Sequence, residues 1–247
     1  MQDILSSSVV VKMGQEGVVR VIFSNPPTNS MPIVLLEELA MTITKLGEQN
    51  DVRIIILQSG GERTFCSGAD FEELKQIKDA EAGKIFFNGF AKVINAMRKC
   101  PKIIIGRVQG KAVGGGVGLA AATDYCLATQ FSAIKLSELN IGIIPAVIEP
   151  AVERKIGLSS FSRLALNPTE FFSPEWAKEQ GLFIEIYENI ETMDEAVENL
   201  AHKLANYSPE ALTELKKVLW KNTEHWEVLL SDRAEVSGRL VLVLDLG

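Results

Sequence analysis

Two short runs constrain this chain more than any other feature. Arg53-Ile54-Ile55-Ile56-Leu57 and Ile103-Ile104-Ile105 carry apolar residues at successive positions, with no polar alternation. Runs of that kind suit strands buried on both faces. Around them lie helical patterns. Leu35, Leu36, Leu39, Ala40 and Ile43 recur at helical spacing before Gly47, and a second helix is expected over about 79 to 99. Val9 to Val11 and Val18 to Phe23 flank a turn at Gly14 to Gly17, the pattern of a hairpin, which Asn25-Pro26-Pro27 ends. Further on, Leu119 to Ala122 suits a short packed helix, and Tyr125 to Ala128 and Ala133 to Leu136 suit further strands. This alternation predicts an α/β fold.

The last third is helical in pattern. Thr192-Met193-Asp194-Glu195 fits a capping box ahead of Val197, Leu200, Ala201 and Leu204. Ser208-Pro209 supplies an N-cap and a proline at the first helical position. The expected organisation is a core over 1–190 and a helical C-terminal region over 191–247. Because the chain has 247 residues, 47% of them hydrophobic, it can bury a substantial core.

Charge narrows the partners. A net charge of −7 argues against nucleic acid, whose phosphates demand clustered Lys and Arg. Cys66, Cys100 and Cys126 have no metal-type spacing, and scattered odd cysteines suit a reducing compartment. The first residues, MQDILSSS, lack the pattern of a secretory signal, and no apolar run reaches the ~18 residues that a membrane span requires. The expectation is a cytoplasmic protein with no membrane and no metal.

Three segments are candidates for chemistry. In Thr64-Phe65-Cys66-Ser67-Gly68-Ala69-Asp70-Phe71, small residues let backbone N–H groups approach a ligand, although a plain strand-to-helix turn capped by Asp70 has the same pattern. In Gly110 to Gly118, three consecutive glycines open an alanine-rich helix. Each glycine costs such a helix roughly 1 kcal/mol relative to alanine, so bare backbone is needed there for packing or for a ligand. Gly116-Val117-Gly118-Leu119-Ala120-Ala121 also satisfies a dinucleotide fingerprint, but the strand before it is expected to end near Val108, too early for that motif. The third segment runs from Lys135 to Pro145. Glu138 sits there among apolar neighbours, where burial would raise its pKa and make it a usable base; an exposed carboxylate at a strand end is the plainer reading. Glu149 is a possible second carboxylate, and His202 and His225 have no partner pattern.

In this order, FCSGADF, QGKAVGGGVGLAAATDY and KLSELNIGIIP resemble the crotonase (enoyl-CoA hydratase/isomerase) superfamily, as does the earlier NPPTNSMPIVLLEELA. The resemblance covers about residues 9 to 225. It implies a spiral of ββα units with a helical C-terminal region, assembled as a homotrimer or a dimer of trimers. It also implies an acyl-CoA thioester substrate, with coenzyme A as part of the substrate rather than a separate cofactor. The thioester oxygen would sit between the N–H groups of Ala69 and Gly115, with Ser67, Gly68, Asp70, Phe71, Gly114 and Asn29 around the substrate.

The resemblance also implies two glutamates in hydratases. Glu138 matches the second, but the first position here is Gly118, and the acid that other branches carry after the proline is Ala146. A 1,3-proton shift needs one carboxylate, whereas hydration ordinarily uses two. The expectation is therefore a single-base enoyl-CoA isomerase. Hydration of a methylglutaconyl-CoA-like substrate and decarboxylation stand behind it within the superfamily. A nucleotide-dependent oxidoreductase and a non-catalytic acyl-CoA binder are the readings from other classes. Residues 239–247 stop short of the terminal helix that often completes the CoA site of a neighbouring subunit, and the apolar tail is expected to pack in trans.

Overall fold

The computed structural model describes residues 7–243. The tail expected to pack in trans lies partly outside them. The chain opens with a hairpin, β1 (Ser8–Met13) and β2 (Val18–Ser24), paired antiparallel. It continues through β3 (Ser30–Met31), α1 (Ile33–Glu48), β4 (Ile54–Ser59), β5 (Thr64–Cys66), β6 (Gly68–Ala69), α2 (Phe71–Gln76) and α3 (Ala80–Lys99). Next come β7 (Ile103–Val108), β8 (Lys111–Val113), α4 (Gly115–Ala121), β9 (Tyr125–Thr129), β10 (Ile134–Lys135) and α5 (Glu149–Ala165). The rest is α6 (Pro174–Glu179), β11 (Glu185–Tyr187), α7 (Ile190–Ala205), α8 (Pro209–Leu219) and α9 (Trp226–Leu240).

The elements form an α/β spiral. The turns that begin at β4, β7 and β9 each give one strand to a large sheet, one to a small sheet, and then a helix. The large sheet has the order β1-β2-β4-β7-β9-β11, parallel apart from β1 at its edge. The small sheet has the order β10-β8-β5, and β3 pairs with β6 beside it.

The unbroken apolar runs now have their reason. Ile55, Leu57 and Ile104 point into the main core with α1, α3 and α4, while Ile54, Ile56, Ile103 and Ile105 point to the other face. There they meet Met193, Val197, Ala201 and Ala205 of α7, and Leu212 of α8. The helical region expected from residue 191 thus covers the second face of the large sheet. Full burial of each such side chain stabilises by roughly 1.5–3 kcal/mol.

Three local features depart from expectation. The cap of α7 is Asn189, not Thr192: the Asn189 side chain, on extended backbone, accepts from Thr192 N–H at 2.9 Å, so the helix starts three residues earlier. A short strand, β8, follows the one that ends at Val108 and runs directly into the glycine-rich helix. Gly116 and Gly118 are buried inside α4, so the fingerprint they complete leaves no exposed loop for a pyrophosphate.

One buried carboxylate ties the C-terminal helices to the sheet. Asp124 accepts from Lys216 Nζ at 2.7 Å, from Trp220 Nε1 at 2.6 Å and from Ile104 N–H at 2.7 Å. Its side chain is 1% exposed and that of Lys216 is 3% exposed. Breaking a buried pair leaves an uncompensated charge, at a cost of about 3–5 kcal/mol. Asp124→Ala is therefore expected to lower stability by about that amount in urea titrations, with Lys216→Met added to it recovering a large part. Additive losses in the double variant would show that the two charges are not coupled.

Candidate active site

The three candidate segments converge on one cavity of about 450 Å³. Ser67, Gly68, Ala69, Asp70, Phe71, Gly114, Gly115 and Glu138 all line it. The convergence depends on backbones packed without side chains between them. Gly68 has φ +90°, and a Cβ there would lie 2.9 Å from Val113 O and 3.3 Å from Gly115 N. Gly114 has φ +52°, and a Cβ there would lie 2.8 Å from Glu138 Oε1. A Cβ on Gly115 would fall within 2.5 Å of the Phe90 ring.

Ala69 and Gly115 line this cavity, and strand and helix geometry leaves the N–H groups of both without a partner in their own elements. Asp70 N–H bonds to Met31 O, and successive N–H groups of an extended strand point to opposite sides. Ala69 N–H thus turns away from β3. Gly115 is the first residue of α4, where N–H groups have no intrahelical carbonyl to bond. Gly114 N–H itself bonds to Lys135 O at 2.8 Å, which fixes the start of α4 against β10.

Glu138 follows β10 in a short 3₁₀ turn, Glu138–Ile141, closed by Gly142 in the left-handed region. The residue is half-buried, but its Oε2 is shielded and has no hydrogen-bond partner among the described residues. Burial pushes its carboxyl up from 4.5 to about 7, against smaller lowering effects from the backbone N–H groups of Glu138 and Ser137.

The other acids are otherwise engaged. Asp70 caps α2 by accepting from Glu72 and Glu73 N–H, and its Oδ2 accepts from Ser30 Oγ at 2.7 Å. The capped turn and the ligand-facing turn are one structure. Glu149 lies in a separate polar cavity with Glu153 and Arg233. Its carboxyl is also raised to about 7, first by burial and then by hydrogen bonding to Glu153. His202 pairs with Glu16 at 3.0 Å, and His225 sits at the start of α9. Neither lines the cavity.

Asn29 is set apart as well. It is buried at φ +54°, and its side chain donates to Gly60 O and Thr64 O and accepts from Asn25 N–H. It holds the backbone beneath the turn instead of facing the cavity. Leu74 of α2, Phe87 and Phe90 of α3, and Ile144 from the segment before α5 line the wall, and Phe86 does not. Ile148 and Ser237 also line it, though nothing in their sequence neighbourhoods marks them. Ser237 reaches the cavity because α9 crosses α3 at contact distance: a Cβ on Gly83 would lie 2.6 Å from Gly238 Cα.

A family model described as enoyl-CoA hydratase/isomerase matches residues 13–234. A probable enoyl-CoA hydratase of Bacillus subtilis is 32% identical over an alignment covering 80% of this chain and 76% of the relative. A peroxisomal delta(3,5)-delta(2,4)-dienoyl-CoA isomerase of Arabidopsis thaliana is 27% identical, covering 91% and 84%. The crystal structure of an enoyl-CoA hydratase from Bacillus halodurans superposes with a TM-score of 0.86 over 94% of each chain, at 23% identity, and shares the fold.

The raised Glu138 carboxyl has a consequence for stability. In the folded chain it holds its proton to about pH 7, while unfolded it releases it near 4.5. The folded state binds more protons in between, so this group's contribution to stability falls as pH rises from about 4.5 to about 7. Glu138→Gln lacks that loss. It is expected to match the wild type near pH 4 and to exceed it by on the order of 3 kcal/mol at pH 8. Thermal midpoints across that range check this; a constant difference would mean that the carboxyl titrates normally.

Proposed function

Because the chain belongs to the enoyl-CoA hydratase/isomerase family, we propose that it moves the double bond of an enoyl-CoA from the Δ3 to the Δ2 position, with Glu138 as its single base. The observation that carries this reading is the composition of the cavity wall. Among the described residues, Glu138 is the one carboxylate there with a shielded and uncommitted oxygen, because Asp70 is held by α2 and Ser30, and Glu72 is exposed and pairs with Lys75 at 3.3 Å.

The chemistry follows from those positions. The thioester oxygen accepts from Ala69 and Gly115 N–H. Glu138 removes a proton from C2, whose C–H electron pair forms a C1–C2 double bond while the carbonyl π pair moves onto the oxygen. The dienolate then collapses: the oxygen pair restores the carbonyl, the C1–C2 pair becomes the C2–C3 double bond, and the C3–C4 pair takes the proton that the same carboxyl returns at C4. Losing one donor at such an oxygen typically costs ~10²–10³ in rate. A carboxyl that titrates near 7 is matched to giving and taking a proton at neutral pH.

The wall also bears on the competing substrates. No Lys, Arg or His is among the described residues that line the cavity. Methylglutaconyl- and malonyl-type thioesters carry a second carboxylate, whose burial without a cation is costly. Hydration lacks a second acid–base group, since Glu149 faces a different cavity. These points favour a neutral acyl chain and a proton shift.

The test presents 3-enoyl-, 2-enoyl-, methylglutaconyl- and malonyl-type CoA thioesters, with products followed by mass spectrometry. The expected product is 2-enoyl-CoA from the 3-enoyl thioester. Glu138→Gln should reduce that rate by ~10²–10⁴ while leaving acyl-CoA binding nearly intact, and the wild-type rate should decline below about pH 7. Faster hydration than isomerisation would favour the hydratase reading. Binding of acyl-CoA with turnover of none would make the protein a carrier.

A further inference from the structure

Resting on the proton-shift reading, the structure assigns to Ile148 the role of selecting the reaction: its side chain fills the space that a second acid–base group on α4 would need. Gly118 stands three residues after Gly115 on α4. A Cβ built on it would lie 2.6 Å from Ile148 Cβ, nearer still to Cγ2, and 3.7 Å from Ile148 Cα. Real Cβ atoms do not approach that closely, so something must move before any side chain can enter at 118.

Ile148 is poorly placed to move. The clash is with its Cβ, next to the backbone, not with the far end of a flexible chain, and β-branching fixes its rotamer. It is 3% exposed. It holds the N-cap position of α5, where its carbonyl accepts from Val152 N–H at 3.0 Å, and Glu149 N–H beside it bonds to Pro145 O at 2.9 Å. Moving it means moving the start of that helix.

The consequence is chemical. Ile148 lines the same cavity as Glu138. Gly118 lies behind it, outside the lining, so at this point the wall is the hydrocarbon of Ile148. A water placed to attack C3 needs polar partners to hold it and a group to activate it, and a hydrocarbon wall supplies neither. Glu138 alone suffices to carry a proton from C2 to C4. Ile148 touches no proton in this scheme and acts as a specificity residue, by exclusion.

Two readouts test this. The first is packing. Gly118→Ala should lower the thermal midpoint of the wild type markedly but lower that of Ile148→Ala much less, because the added methyl then enters the vacated space. Equal losses in both backgrounds would overturn the contact. The second is reaction choice, with 2-enoyl-CoA hydration and 3-enoyl-CoA isomerisation measured side by side. Gly118→Glu combined with Ile148→Ala should hydrate at least ~10-fold faster than the wild type and than Ile148→Ala alone, in the range of a typical general acid–base contribution. Should that pair fail to fold, Gly118→Asp with Ile148→Gly carries the same test on a smaller volume. A folded double variant that binds acyl-CoA and hydrates no faster than the wild type would overturn the inference, as would Gly118→Glu alone reaching the hydration rate and midpoint of the double. Failure of the underlying reading shows separately, in the unmodified protein: a wild type that does not isomerise 3-enoyl-CoA refutes the proton-shift proposal whatever the variants do.

Discussion

The site depends on one constraint: the first turn of α4 must lie against the 66–69 turn at backbone contact. Gly68 nearly touches Val113 and Gly115, and Gly116 packs on Cys66, where a Cβ would stand 2.8 Å from the cysteine's own. Everything chemical follows from this closeness. It sets the Ala69 and Gly115 amides on one cavity, and it brings Glu138 Oε1 to the edge of Gly114. The helix propensity given up by three glycines, roughly 1 kcal/mol each, is offset by the buried sheets on either side.

The second feature is an unbalanced charge. Glu138 Oε2 is buried without a partner, and no Lys, Arg or His is among the described residues that line the cavity, so its ionised form is held at a cost in free energy. By contrast, Asp124, with its side chain almost wholly buried, is satisfied by three donors and acts as a structural tie. The two carboxylates differ in their partners, and the partners decide which of them rests at a cost. Glu149 is a third case. Raised to a similar value, it looks onto a different cavity and shares its environment with Glu153 and Arg233.

Much of this was legible in the sequence where one residue type implied one environment. The isoleucine runs implied strands covered on both faces, and α7 supplies the second cover. The triple glycine implied bare backbone, while Glu138 among apolar neighbours allowed either a raised carboxyl or an exposed one, and burial of its Oε2 decides for the first. Legibility failed where weak local signals competed or where the partner is remote. α5 carries Gly157 at φ +74° and a cluster of serines, which blur its periodicity. Asn189, not Thr192, caps α7: two cap residues stood within three positions of each other, and the local pattern did not separate them. Asn29 lies inside a recognisable motif, but its side chain holds backbone. Ile148 and Ser237 join the cavity through packing between elements distant in sequence, which no local pattern encodes.

The crossing of α9 over α3 at Gly83 and Gly238 has a consequence for how the protein is made. Glu138 and both backbone amides are synthesised well before Ser237, which lines the same cavity. The interval is 99 residues, or about 5–20 s of elongation at typical rates. Throughout it the nascent chain carries a base and an apolar pocket, Phe87 and Phe90 included, without the helix that covers them. Such exposed surface invites misassembly and chaperone binding. Closure of the cavity therefore waits on α9, long after the rest of its wall has been made.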